Sequence, residues 1–123
     1  MEINDLTGEV IGAAIEVHKN MGPGLLESAY EECLCHELSL RGIAFKRQVP
    51  LPLCYKGVKL DCDYRNDLIV EDEVIVELKS VSTIEPIFEA QLLTYLKLAD
   101  KWLGLLLNFN VTLLKDGIKR IVH

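Results

Sequence analysis

The chain has 123 residues, half of them hydrophobic, with 13 Lys and Arg against 19 Asp and Glu and a formal net charge of −6. That length fits one domain around one core. The charge argues against a strong nonspecific nucleic-acid binder, which depends on many phosphate contacts. It leaves room for an enzyme acting on nucleic acid, because bound divalent cations reverse the local charge at clustered carboxylates. Apolar runs are short, Leu105-Leu106-Leu107 being typical. A membrane-spanning helix needs about 20 apolar residues, so a soluble chain with no membrane association is expected. Met1-Glu2-Ile3-Asn4-Asp5 is acidic where a secretory signal carries basic residues and then an apolar stretch, which makes a cytoplasmic location the default expectation.

Residues 6–19 place Leu6, Val10, Ala13, Ala14 and Val17 at helical spacing. Asn20-Met21-Gly22-Pro23-Gly24 breaks that helix, and a second runs over residues 25–41 to stop at Gly42. Residues 45–55 read as a strand interrupted by Pro50 and Pro52, hence an edge or irregular strand, because proline cannot donate a ladder bond. Lys56-Gly57 is a turn, and residues 58–70 are extended with a bend near Arg65-Asn66. Glu71-Asp72-Glu73 is a charged turn before the β-branched strand of residues 74–79. Residues 86–98 form a helix with proline in its first turn and the stripe Phe88, Leu92, Tyr95, Leu96 and Ala99. Residues 102–109 are nearly all apolar, as in a strand covered on both faces. Asp116-Gly117 signals a hairpin joining residues 111–115 to 118–122. The fold class is α/β, with element order ααβββαββ and a mixed central sheet. Cys33, Cys35, Cys54 and Cys62 have no metal-site spacing and are expected as buried or partly buried free thiols.

The chemistry concentrates in residues 67–79. On a strand Glu77 and Lys79 share one face. If Glu71-Asp72-Glu73 form a three-residue loop, Val70 pairs with Val74 and Asp67 lies opposite Glu77; a two-residue loop pairs Asp67 with Val76 and separates the acids. In the first register two carboxylates and an ammonium converge. Oxygen ligands of this kind suit Mg²⁺ or Mn²⁺ rather than zinc. A cation so held polarises a phosphate and acidifies a water, and Lys79 can orient or deprotonate that water. The same pattern also occurs as a solvated strand face with an ion pair. Gln91 sits at the edge of the next helix's stripe, one turn from Tyr95. Glu27 falls between the directions of Leu34 and Leu38 on the second helix, where a carboxylate wants a partner. Glu37 projects near that face too, so geometry alone does not single Glu27 out. Asp61 and Asp63 share parity with Asp67 and are alternative ligands if the extended segment is continuous.

Gly24-Leu25-Leu26-Glu27-Ser28-Ala29-Tyr30 resembles the signature of the GxxExxY proteins, a branch of the PD-(D/E)xK nuclease superfamily. Val17-His18, Gly22-Pro23-Gly24, Tyr55-Lys56-Gly57, Asp67-Leu68-Ile69-Val70, Val76-Glu77-Leu78-Lys79, residues 91–97 and residues 104–109 resemble it in the same order. The resemblance implies a restriction-endonuclease-like mixed sheet flanked by helices, in a nuclease acting on DNA or RNA. It further implies that Asp67 and Glu77 bind Mg²⁺ or Mn²⁺, that Lys79 assists the nucleophilic water, that Gln91 supports the site, and that Glu27 completes it as a metal or water ligand. Tyr95 and Tyr30 would brace the site, and His18 would meet substrate or close the Gly-Pro turn. Asn66 stands where the superfamily's name has proline, and Asn110 where the branch usually has glycine, a position asparagine can fill at positive φ.

Lys46, Arg47, Lys56 and Lys59 are the best basic cluster, and a solvated edge is their blander reading. A catalytically weak module of this fold, binding nucleic acid or protein, is the alternative function. Edge strands at residues 45–55 or the C-terminal hairpin can pair across a two-fold axis into a homodimer.

Overall fold

A computed structural model describes residues 1–123. Helix α1 (Ile3–Met21) buries Leu6, Val10, Ala13, Ala14 and Val17, the stripe expected from their spacing. It ends at Gly22, whose φ of 69° only glycine adopts without strain. Helix α2 (Glu27–Leu40) buries Tyr30, Glu31, Leu34, Cys35 and Leu38. The Tyr30 ring stacks on Phe109 at 4.4 Å between centroids. Its hydroxyl donates to the Gly22 carbonyl and accepts from the Leu25 amide. Tyr30, rather than His18, therefore closes the Gly-Pro turn.

Five strands form the central sheet in the order β1-β4-β5-β6-β7. They are β1 (Phe45–Pro50), β4 (Arg65–Val70), β5 (Val74–Lys79), β6 (Leu103–Asn108) and β7 (Ile118–Val122). Only β5 and β6 run parallel, and α3 (Pro86–Ala99) makes that crossover. Short strands β2 (Leu53–Tyr55) and β3 (Val58–Leu60) form a separate hairpin. The α/β class and the mixed sheet flanked by helices hold, but the order is ααβββββαββ. Leu51 and Pro52 split the first expected strand, and residues 61–64 leave the sheet, so the 58–70 segment is two strands.

The main core lies between the sheet and α1 and α2, with Leu68, Val70, Val76, Leu78, Leu105 and Leu107 facing the helices. A smaller cluster of Ile69, Ile75 and Leu106 meets Leu92 and Leu96 of α3 on the other face. All six residues of β6 are buried, as a strand covered on both sides requires. Gly104 allows α3 to approach, since a Cβ there would come 3.0 Å from Leu92.

Residues 111–115 do not form a strand. Leu114–Gly117 is a 3₁₀ turn, and β7 pairs directly with β6. Two side chains override the hairpin signal. The His18 Nε2–H donates to the carbonyls of Phe109 (3.1 Å) and Val111 (2.9 Å). Asn108 bonds both backbone groups of Val81 and accepts from the Asn110 amide at 3.2 Å. Asn110 keeps a negative φ, so the turn rests on Asn108 and not on a left-handed residue. Of the cysteines, all free, Cys35 is buried and Cys33 half-buried, while Cys54 and Cys62 are exposed because they lie on or beside the β2–β3 hairpin.

Candidate active site

The β4–β5 turn is three residues long, with Glu71 and Asp72 left-handed at φ 50° and 58°. Val70 pairs with Val74, Ile69 with Ile75 and Leu68 with Val76. One step further, Asp67 stands opposite Glu77, on the face that carries Ile69, Ile75 and α3. Here the side chains replace the ladder. Asp67 Oδ2 accepts from the Leu78 amide at 2.8 Å, and Glu77 Oε1 accepts from the Asp67 amide at 3.4 Å.

Glu77 is buried and Asp67 half-buried. Burial, and then the Asp67 charge beside it, push the Glu77 carboxyl from 4.5 up to about 9. Lys79 shares the Glu77 face but makes no ion pair with either acid; its ammonium rests 4.6 Å above the Phe88 ring of α3. The Tyr95 phenol of α3 is held above its ordinary range by burial, then by Glu77, Tyr64 and Asp67, which places it in the field of the two acids.

Glu27 is the first residue of α2 and is exposed. No helical turn precedes it, so nothing covers it; an acid at this end is favoured by the helix dipole. The Ser80 hydroxyl donates to the Leu25 carbonyl at 2.7 Å, pinning the start of α2 beside the end of β5. Glu27 thereby shares with Asp67, Ser28, Glu31, Gln48 and Leu78 a small cleft of about 180 Å³. Glu27, Asp67 and Glu77 are not gathered into a group of three acids around one point. Gln91 is exposed, has no hydrogen bond to either acid, and lines a different cleft with Tyr64 and Tyr95. Asp61 and Asp63 are exposed and lie before β4, in the non-strand residues 61–64 that end their parity with Asp67. His18 and Tyr30 are structural.

The enclosed acid of α2 is Glu31, one turn after Glu27 and on the stripe with Leu34, Cys35 and Leu38. Its Oε2 accepts from Arg47 Nε (3.2 Å) and Nη2 (2.7 Å), and its Oε1 accepts from Gln48 at 2.7 Å. Arg47 also pairs with Glu32, so it is not free for a phosphate and the expected basic cluster loses a member. Gln48 is left-handed at φ 49° and interrupts the β1–β4 ladder opposite Asp67. The kink lets Arg47 reach α2 while Val49 packs against the α3 cluster. The i, i+3, i+4, i+7 spacing of Glu31 with Leu34, Cys35 and Leu38 was the signal for it. Nothing local signalled Gln48.

Two carboxylates pressed together, one of them buried, with no cation on either, suit a hard divalent ion that draws its other ligands from water. Comparison with curated proteins and with solved structures finds no match for this chain. The PD-(D/E)XK nuclease superfamily, whose members generally use divalent metals, matches residues 4–121, and the chain belongs to it.

Proposed function

We propose that this protein is a divalent-metal-dependent nuclease hydrolysing phosphodiester bonds in DNA or RNA, one nuclease-like domain over residues 1–123, in the GxxExxY branch of its superfamily. The Asp67–Glu77 pair supports this best: a buried like-charge pair is unfavourable without a cation, and burial with Asp67 already forces the Glu77 carboxyl toward its neutral form. Asp67 and Glu77 would hold Mg²⁺ or Mn²⁺, with Glu27 across the cleft as a further acidic ligand or water partner. The ion supplies Lewis acidity to the phosphate and lowers the pKa of a water. Lys79 lies on the same face as Glu77, and its flexible stem lets the ammonium leave Phe88 for charge developing on the phosphate. As an ammonium it would orient the water there; taking that water's proton would instead require the free amine. Gln91, which opens on the neighbouring Tyr64–Tyr95 cleft one turn before Tyr95, would support the site only from that side.

Purified protein with Mn²⁺ should cut single- or double-stranded DNA or RNA, and Lys79→Ala should cut about 100-fold more slowly or worse. Equal cleavage by the two would refute the site. A second reading, a catalytically weak module that binds nucleic acid or protein, is favoured by one observation: no third acid closes on the pair. Calorimetry separates the two, since no heat at millimolar Mn²⁺ selects the module.

A further inference from the structure

The outer side of α3 carries a second cleft of about 340 Å³, near the lower end of the range for small-ligand sites. Ile87, Gln91, Thr94, Tyr95 and Leu98 recur along one side of the helix, and Tyr64 faces them from the segment before β4. The Tyr64 and Tyr95 rings are 6.4 Å apart and tilted by 55°, so they flank the opening rather than stack on each other. Tyr64 and Ile87 stay 46% and 67% exposed although both are large. None of the lining residues is charged. That composition does not suit a phosphate or a charged peptide. It suits a flat heteroaromatic ring, with apolar walls for its faces and the Gln91 amide and Thr94 hydroxyl for its polar edge.

The cleft adjoins the proposed catalytic row at two places. Tyr64 is three residues before Asp67, a span of at most about 10 Å. Phe88, next to Ile87 on α3, lies under the Lys79 ammonium. A chain with its phosphate at Asp67 and Glu77 would therefore bring a neighbouring base to Tyr64. From this we infer that the Tyr64–Tyr95 cleft is a stacking subsite for one unpaired base of a single-stranded nucleic acid, next to the scissile phosphate. The inference rests on the nuclease reading and adds its substrate class: single strands or unpaired bases, because a base inside a duplex already has both faces covered.

The test uses a short single-stranded oligonucleotide containing 2-aminopurine, titrated at low salt in EDTA so that binding is read without cleavage. Wild-type protein should quench the fluorophore. Tyr64→Leu should bind about 5- to 100-fold more weakly, and Tyr64→Trp should restore both binding and quenching. Tyr55→Leu, which removes an exposed tyrosine outside the cleft, should change neither. Absence of quenching, followed by cutting of the same oligonucleotide once Mn²⁺ is added, overturns the stacking subsite and leaves the nuclease standing. Quenching lost in Tyr64→Leu, with no cutting by wild type in Mn²⁺, keeps the subsite and overturns the nuclease. Equal binding by wild type and Tyr64→Leu, as expected if the groove instead serves a protein partner, also overturns it.

Discussion

Glu77 holds its proton far more tightly in the folded chain, at about 9, than the 4.5 ordinary for a glutamate. A group with its folded pKa raised contributes stability that is complete below its unfolded pKa and lost as the pH climbs through the folded one. The metal-free protein should therefore lose stability between about pH 5 and pH 9, with a slope of up to about 1.4 kcal/mol per pH unit. Urea titrations in EDTA measure this, and Glu77→Gln should flatten the profile. A wild-type profile already flat over that window would show that Glu77 is ionised throughout. Mn²⁺ must displace the same proton, so its affinity should rise about tenfold per pH unit below that value. Beside the pair, Asn66 is fully buried and neither of its side-chain polar atoms bonds another protein group. Nothing in the structure explains why asparagine stands there in place of the superfamily's proline.

Among the elements, the segment between β6 and β7 shows how a local turn signal is overruled. Asp116-Gly117 favours a hairpin, yet a strand over residues 111–115 would forfeit the bonds from His18 and Asn108. Gly117 lies so close beneath Asn108 that a Cβ would meet its carbonyl oxygen at 2.1 Å. His18→Ala should cost about 1–3 kcal/mol, because it strips a donor from carbonyls that are wholly or partly buried. Chemical denaturation would read that loss, while Mn²⁺ binding should be unchanged. A variant of full stability would mean that the segment is held by its apolar contacts alone.

Across the whole molecule, the site joins elements distant in sequence: the β4–β5 hairpin, the start of α2, the kink of β1 and the face of α3. A cation bound there stabilises only the folded assembly. At a hundredfold excess over its dissociation constant it adds about 2.7 kcal/mol, on the order of 10 °C in melting temperature for a domain of this size. Thermal melts with and without Mn²⁺ should show that rise in wild type and none in Asp67→Asn. An equal rise in both would place the ion elsewhere.

The α1 and β6 segments were legible in the order of residues, because each follows from side-chain periodicity; the Asp67–Glu77 register was one of two that the charged turn allowed, and only the Val70–Val74 pairing selected it. The family words supplied the rest of the expected site. The partners of the acids were not legible. Glu27 lies on the helix that was expected, and the Ser80–Leu25 bond helps hold the start of that helix beside the Asp67 cleft, where Glu27 stays open to solvent. Gln91 was expected beside the acids, and packing of Leu92 and Leu96 turns it toward a different cleft. The left-handed Gln48, the pairing of buried Glu31 with exposed Arg47 and the Tyr64–Tyr95 opening arise where separate segments meet. Local pattern determines which face a side chain occupies on its own helix or strand. What then stands opposite that face depends on long-range packing, which only the tertiary structure decides.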